Sequence, residues 1–200
     1  MMNKQLMCVA AAVAALSGGQ ALAQASPWWV RLRAVQLDMT NENSTPVAGL
    51  GANNKTIGEV DVSYFWTPNL AAELALTVPQ RQILRADSGD LGGLTHLPTT
   101  LTFQYHWTDL DGFKPYLGLG VNYTKITGVS VAGGQYTLDS SSTGGAWQVG
   151  VDFPLDKKWS LNVDLKKVYI RTDVYTAAGV NTGTLKLDPT FFGVGLGYRF

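Results

Sequence analysis

The C-terminal segment of this chain alternates large apolar residues with small or charged ones. Phe192, Val194, Leu196, Tyr198 and Phe200 occupy every second position, and the positions between them hold three glycines and one arginine. A period of two is the spacing of a β-strand with one apolar face. Transmembrane barrel strands carry aromatic residues at the membrane interface, so a strand that ends on Phe is typical of them. The segment therefore predicts a β-barrel of a bacterial outer membrane.

The N-terminal segment predicts export. A short polar stretch with Lys4 precedes an apolar run over residues 6–16, and Ala21-Leu22-Ala23 has the small-x-small form of a signal-peptidase site. The run is too short to cross about 30 Å of hydrocarbon as a helix. We expect a signal peptide over residues 1–23, with a second acceptable cleavage site two residues further on. Residues 24–200 are expected to form a single barrel domain.

Cleavage at this position would remove the single cysteine, Cys8, and leave 177 of the 200 residues. An exported chain without cysteine has no disulfides, so packing, hydrogen bonds or a membrane must stabilise it. Removal of Lys4 leaves 14 basic residues against 15 acidic ones, and this balance gives no indication of nucleic-acid binding. Charged residues make up only 15% of the chain, below the quarter or so that is usual in soluble proteins.

Alternating segments predict eight strands. Their approximate bounds are 28–40, 56–66, 70–78, 97–107, 117–124, 147–153, 159–166 and 184–200. Eight is an even number, as single-chain outer-membrane barrels require. The fold class is therefore predicted as all-β, an eight-stranded antiparallel transmembrane β-barrel.

The connections between these segments alternate in length. Three are short, at residues 67–69, 108–114 and 155–158, and four are long, at residues 41–55, 79–94, 125–143 and 172–183. Outer-membrane barrels have short periplasmic turns and longer extracellular loops. This pattern predicts four long extracellular loops and places both termini in the periplasm.

Aromatic residues cluster at the predicted periplasmic ends of the strands. They are Trp66, Trp107, Phe153, Trp159, Tyr198 and Phe200. Amphipathic rings favour the membrane interface, so we expect a girdle there. Gly195, Tyr198 and Phe200 are also predicted to be the C-terminal signal that the barrel-assembly machinery reads.

Charged residues on the opposite face of the strands are predicted to fill the lumen. They are Arg31, Arg33, Glu59, Asp61, Glu73, Asp152, Asp164, Lys166 and Arg199. An eight-stranded barrel is just wide enough for side chains to fill it. Opposite charges are expected to neutralise one another as a plug in the periplasmic half, which would exclude a wide aqueous pore.

Several blocks together resemble the OmpW family of small outer-membrane proteins, over essentially the whole mature chain. The blocks are His96-Leu97-Pro98-x-Thr100-Leu101, Gln104-Tyr105, Pro115-Tyr116-x-Gly118-x-Gly120-x-Asn122-Tyr123-Thr124, Gln148-Val149-Gly150-Val151-Asp152, Leu187-Asp188-Pro189 and Gly197-Tyr198-Arg199-Phe200. The family includes AlkL-type relatives. The resemblance implies an eight-stranded barrel and passive uptake of small hydrophobic molecules. It also implies a route through an apolar extracellular funnel with lateral release into the membrane lipid.

A lateral exit requires a break in the hydrogen-bond ladder. Proline lacks an N–H group, so Pro98, with His96 and Leu97, is predicted to border this opening. A proline tolerated near a loop remains the alternative. The apolar funnel is predicted to include Leu37, Met39, Ile57, Val78 and Leu94. Simple packing of the upper half of the barrel is the other reading of these five residues.

Two other function classes remain open from the sequence. An acyl-transferring barrel would need a nucleophile, a base and an acid within reach, and His96, Asp139 and Ser140 are a conceivable set. No nucleophile motif surrounds Ser140, so we predict that the protein is not an enzyme. The sequence contains no residues at metal-ligand spacing, and we expect no cofactor. A structural or adhesive barrel acting through the loop at residues 131–145 is the main alternative. An open or a packed upper lumen would separate the two.

Overall fold

A computed structural model describes residues 26–200, and the predicted signal peptide lies outside them. These residues form fourteen strands and a short 3₁₀ segment at Ala132–Gly134. The strands are β1 (Trp28–Asp38), β2 (Glu42–Asn43), β3 (Gly51–Ala52), β4 (Lys55–Phe65), β5 (Leu70–Thr77), β6 (Gln80–Ala86), β7 (Gly89–His106), β8 (Lys114–Val131), β9 (Tyr136–Leu138), β10 (Ser141–Pro154), β11 (Trp159–Val168), β12 (Arg171–Thr176), β13 (Asn181–Lys186) and β14 (Thr190–Arg199). No helix within residues 26–200 has the length and apolarity to cross a membrane.

Eight of these strands form a closed antiparallel ring. Around the ring they follow the order β1, β4, β5, β7, β8, β10, β11 and β14. The first and last strands of the chain close the ring, since β1 pairs with β14 from Trp29↔Arg199 to Asp38↔Thr190. Closure leaves no unpaired strand edge in the ring, which is what hydrocarbon requires of a sheet. The predicted eight-stranded barrel is confirmed.

The two faces of the wall follow the alternation in the sequence. In β1, Arg31 and Leu37 point inward and have no exposed surface, whereas Leu32 between them is 59% exposed. Phe103 and Leu119 on neighbouring strands are 60% and 64% exposed. A belt of exposed apolar side chains on a folded barrel marks the surface that contacts lipid.

The two ends of the barrel differ. We call the end that holds Ser26, Phe200 and the short connections the turn end, and the opposite end the loop end. The Ser26 N–H donates to the Phe200 carbonyl at 3.0 Å, so both termini of the described chain meet at the turn end. The predicted aromatic girdle lies on the outer surface there, for example where the rings of Trp159 and Tyr198 are 4.9 Å apart. The turn at residues 155–158 is held by Asp156, whose carboxylate accepts two backbone N–H groups that lower its pKa.

The loop end contains more strand than the sequence predicts. Residues 79–94 form most of the β6–β7 hairpin, with a two-residue connection at 87–88, and β8 continues from 124 to Val131. The long connections predicted at this end are present, but much of their length is paired strand. These extensions carry polar residues on the outward face, for example Arg81 and Arg85, so the apolar alternation of a membrane strand is absent although the backbone pairing continues.

Candidate functional site in the barrel lumen

A buried ion network fills the turn half of the lumen, beginning with Arg31 on β1. Arg31 binds Asp152 through two parallel bonds, Nε to Oδ1 at 3.1 Å and Nη2 to Oδ2 at 2.8 Å. Its Nη1 donates to Glu73 Oε2 and to Ser63 Oγ, both at 2.9 Å. A guanidinium held by a bidentate carboxylate has a fixed orientation as well as a neutralised charge.

Arg33, one step further along the same face, is the centre of the network. Its guanidinium nitrogens lie 3.1–3.3 Å from oxygens of four carboxylates, on Glu59, Asp61, Glu73 and Asp164. Lys166 completes the network, with Nζ 3.0 Å from Glu59 Oε1. The register explains the convergence, because Arg33 is the direct partner of Glu59 in β4 and Arg31 that of Asp61.

Two uncharged residues, which belong to blocks singled out in the sequence but were not predicted to have a luminal role, connect these carboxylates. The Gln148 amide donates to Glu73 Oε1 and to Asp164 Oδ2, both at 2.8 Å, and the Tyr116 hydroxyl donates to Asp164 Oδ2 at 2.7 Å. Tyr116 needs the space left by Gly150, where a Cβ atom would lie 2.4 Å from its hydroxyl oxygen. The alternation along β8 and β10, which places both side chains on the inward face, was the signal that could have identified them as luminal residues.

The network closes this half of the barrel. Each of its eight charged residues, all of them among the nine predicted luminal charges, is at most 4% exposed. Side chains packed to this degree leave no water-filled channel beside them. A buried charge that loses its partner is strongly destabilising, so the network also resists opening.

The ninth predicted luminal charge, Arg199, lies apart from this network. It is partly exposed at the turn end, where its Nε donates to the Ser26 carbonyl at 3.0 Å and its guanidinium carbon lies 5.5 Å from the Phe65 ring centroid. Placing Arg199 in the charge plug was wrong, because it is the last residue of β14 and lies below the ionic layer. The rings of Tyr198 and Phe200 meet edge to face on the outer surface beside it, with centroids 5.1 Å apart.

An apolar cluster fills the loop half of the lumen. It contains Val35, Leu37, Met39, Leu50, Ala52, Ile57, Leu84, Leu94, Ile126, Val131, Ala146, Val168, Ile170, Val174, Leu185, Leu187 and Phe191. Four of the predicted funnel residues, Leu37, Met39, Ile57 and Leu94, are among them. These side chains are packed: Leu94, Leu185 and Leu187 have no exposed surface.

Val78 was wrongly predicted to belong to this apolar region, since it is 46% exposed. Val78 continues the even-numbered outward face of β5, which includes Leu74 and Leu76, and the alternation changes only after it. Inward residues have odd numbers in β5, such as Glu73 and Ala75, and even numbers in β6, such as Gln82 and Leu84. The shift at residues 78–79 turns two consecutive residues outward.

The same shift interrupts the wall beside Pro98. Pairing of β5 with β7 stops at Leu76↔Thr99, and pairing of β6 with β7 resumes at Gln80↔His96. The Thr77 hydroxyl, which donates to the Pro98 carbonyl at 3.3 Å, bridges the interval. His96 and Pro98 point inward and are buried, whereas Leu97 between them lies on the outward face.

A second interruption lies on the far side, where β10 passes β12. Backbone pairing between β10 and β11 ends at Ala146↔Val168, and beyond it the Arg171 N–H donates to Ser142 Oγ at 2.9 Å. A groove of about 320 Å³ opens outward there, lined by Thr143, Gly144, Gly145, Tyr169 and Arg171. The bond from Arg171 to Ser142 and the backbone hydrogen bond from the Tyr169 N–H to the Gly145 carbonyl at 3.0 Å connect the strands behind the groove.

Two polar side chains lie at the β6–β7 wall of the apolar cluster. Gln82 Nε2 and His96 Nε2 are 3.2 Å apart, and both side chains are fully buried. Within residues 26–200, Gln82 Oε1 and His96 Nδ1 have no hydrogen-bond partner. The sequence indicated His96 for its place in the His96-Leu97-Pro98 block but gave no indication of Gln82.

The conceivable acyl-transfer set is not assembled. His96 Nε2 faces Gln82 inside the barrel, Asp139 Oδ2 accepts the Asp173 N–H at 3.0 Å, and Ser140 is exposed at the loop end. A nucleophile and its base need to be within hydrogen-bond reach of each other. This arrangement gives no support to catalysis by these three residues.

Comparisons with known proteins agree with this architecture. Outer-membrane protein y4mB of Sinorhizobium fredii is 39% identical over 184 residues, which cover 88% of this chain and 80% of that protein. Outer membrane protein W of Escherichia coli is 31% identical over 98% of this chain and all of its own length. The dibenzothiophene metabolism operon protein PahQ of Pseudomonas aeruginosa is 32% identical, over 55% of this chain and 53% of its own.

Solved structures share the fold. The outer membrane protein OprG of Pseudomonas aeruginosa superposes with a TM-score of 0.77 at 22% identity, over 88% of this chain and 97% of its own. The outer membrane protein AlkL superposes with a TM-score of 0.71 at 23% identity, over 91% and 94% of the two chains. The OmpW family model matches residues 18–200. The chain belongs to the OmpW family, whose barrels lie in the bacterial outer membrane.

Proposed function

We propose that this protein is a passive outer-membrane channel for small hydrophobic molecules. The observation that carries the proposal is the division of the lumen into a sealed ionic half and an apolar half. A solute admitted at the loop end meets the apolar cluster and then leaves sideways, beside Pro98, into the membrane. In this orientation the loops are extracellular and both termini are periplasmic.

The physics of the ionic half supports a lateral route. Passage along the barrel axis would separate Arg31 and Arg33 from their carboxylates, which is costly in a buried site. An apolar solute gains nothing from reaching the aqueous periplasm, because hydrocarbon is its better solvent. The pairing gap at Pro98 adjoins the apolar cluster above the network, so it offers the shorter way out.

The relatives support the same class of solute. PahQ is named for an operon of dibenzothiophene metabolism, and dibenzothiophene is an apolar aromatic molecule.

Because Leu94, Leu185 and Leu187 are fully buried, a solute needs movement of these side chains or of the loop-end strands to pass. The barrel-assembly machinery is expected to insert the chain by reading Gly195, Tyr198 and Phe200.

Uptake by intact cells tests the proposal. We expect cells with the protein to take up octane faster than cells without it, while a sugar of similar size enters both at one rate. Equal octane uptake in the two strains would refute the channel. Faster uptake of both solutes would indicate an aqueous pore, which the buried ionic half argues against.

Replacing Pro98 with Val tests the exit. Valine restores a backbone N–H, and one added ladder hydrogen bond of about 1 kcal/mol shifts a local opening equilibrium about fivefold toward the closed wall. We expect octane uptake to fall by a similar factor with the barrel still folded. Pro154→Val, at the exposed turn end of β10, is the matched control. Unchanged uptake in Pro98→Val would remove Pro98 from the route, and the groove beside Tyr169 would be the next exit to test.

A structural or adhesive barrel remains the second candidate, favoured by the packed state of the upper lumen. Residues 131–145, which include the 3₁₀ segment, β9 and several exposed positions, would be its contact surface. Deleting residues 133–134 from this segment should leave octane uptake unchanged if the channel proposal is right. Loss of cell attachment with intact uptake would assign the segment a separate adhesive role.

A further inference from the structure

We propose that Gln82 and His96 form a hydrogen-bonding site for the hydroxyl group of an otherwise apolar solute. The preferred ligand is then an amphipathic molecule, such as a medium-chain alcohol or a phenol, rather than a plain hydrocarbon. This inference rests on the channel proposal and specifies its substrate class.

The free atoms of the pair match a hydroxyl group. Gln82 Nε2 is a donor, so His96 Nε2 accepts from it and the neutral ring carries its proton on Nδ1. Within residues 26–200 the pair therefore leaves two atoms with no hydrogen-bond partner, the donor His96 Nδ1 and the acceptor Gln82 Oε1. Turning the amide by 180° exchanges the roles and again leaves one donor and one acceptor. A hydroxyl group both donates and accepts, so it can accept from His96 Nδ1–H or donate to Gln82 Oε1.

The surroundings explain why these free atoms indicate a ligand. Gln82 and His96 are fully buried, and their strand partners Leu94 and Ile126 belong to the apolar cluster. Leaving buried polar atoms unpaired is costly, and such atoms on two neighbouring side chains are uncommon in folded proteins. Two leucines would pack into the same space without that cost. A solute hydroxyl would reduce the penalty.

The position of the pair fits the proposed route. Gln80↔His96 is the first strand pair beyond the gap, and His96 lies two residues before Pro98 on the same inward face. The apolar cluster lies on the loop-end side of this point. A solute with its hydroxyl on Gln82 and His96 would keep its hydrocarbon part in the cluster, beside the exit.

Specificity follows from the unpaired atoms. A site built to hydrogen-bond a hydroxyl discriminates against an analogue that lacks it, because its own polar groups then stay unsatisfied. We expect the purified barrel in lipid nanodiscs to bind 1-octanol in preference to octane, after subtraction of partitioning into empty nanodiscs. Gln82→Leu should weaken 1-octanol binding about tenfold, the change expected for loss of one or two neutral hydrogen bonds, and leave octane binding unchanged or tighter.

Gln36→Leu is the matched control, since Gln36 lies on the outer face of β1. An equal effect of Gln82→Leu on both solutes, or no effect on 1-octanol, would overturn the inference while leaving the channel intact. No saturable binding of either solute would also overturn the inference, whereas the channel itself is refuted by equal octane uptake in cells with and without the protein.

A readout on the unmodified protein removes dependence on the folding of the Gln82→Leu variant. The chain has two histidines, His96 and His106, so imidazole ¹⁵N signals can be assigned by comparison with a His106→Phe variant. 1-Octanol should shift the His96 Nδ1 signal, and octane at equal occupancy should not. Identical spectra with both solutes would exclude a hydrogen bond from His96 to the hydroxyl.

Discussion

Arg33→Met is expected to lower the free energy of unfolding by about 3–5 kcal/mol, the usual cost of removing one partner from a buried ion pair. Methionine has a similar length but no charge. It would leave Glu59, Asp61, Glu73 and Asp164 without the guanidinium that all four contact. Two cations, Arg31 and Lys166, would then face five buried carboxylates. Urea unfolding in phospholipid vesicles, followed by tryptophan fluorescence, measures the change.

Arg85→Met is the control for this experiment. Arg85 and Asp90 form a 2.8 Å ion pair, but their side chains are 61% and 62% exposed. Exposed pairs contribute roughly 0–1 kcal/mol, so this variant should unfold close to the parent protein. A similar small loss in both variants would mean that the luminal network does not stabilise the barrel. The proposal that it seals the turn half would then lose its energetic basis.

Gly195→Ala is expected to destabilise the seam between β14 and β1. A Cβ atom at Gly195 would lie 2.0 Å from the Leu32 carbonyl oxygen and 2.7 Å from the Arg33 Cα, both backbone atoms of β1. The strands would have to separate where the first and last strands close the ring. We expect a loss of about 3 kcal/mol in unfolding free energy, the upper end of the usual overpacking cost, or failure to refold.

Gly58→Ala separates this steric effect from the general cost of changing a strand glycine. Gly58 lies in β4, and a Cβ atom there would meet nothing within 4 Å. This control should refold normally. Refolding of both variants into vesicles without assembly machinery also separates sterics from recognition of the C-terminal signal. Normal refolding of Gly195→Ala with failed insertion in cells would assign Gly195 to recognition instead.

The sequence was sufficient for the barrel because membrane strands obey a simple local rule. One face contacts hydrocarbon and the other fills a narrow lumen, so apolar and other residues alternate strictly, as in β1 and the last strand. Outside the hydrocarbon the rule no longer holds. The pairing of β6 with β7 and the far end of β8 therefore could not be recognised, although the same backbone hydrogen bonds continue there.

The alternation along each strand also predicted most of the luminal residues. Arg31, Arg33, Glu59 and Lys166, for example, follow from alternate spacing alone. The alternation also predicts an outward Val78, on the same face as Leu74 and Leu76, so assigning Val78 to the funnel went against the alternation in β5. The one-residue shift at residues 78–79 reverses the faces beyond it and leaves no local signal. Tyr116 and Gln148 were missed for another reason. They are uncharged, and their role depends on carboxylates from other strands.

By itself the sequence determined the number of strands in the ring, their antiparallel arrangement and the ionic character of the lumen, because these depend on neighbours along one strand. The tertiary structure alone decided which charges pair, where the wall is interrupted and that Gln82 meets His96. Those contacts join residues on different strands, and their register depends on closure of the whole ring. The physical reason is that alternation fixes the face of a residue, whereas pairing and stagger fix its height and its partners.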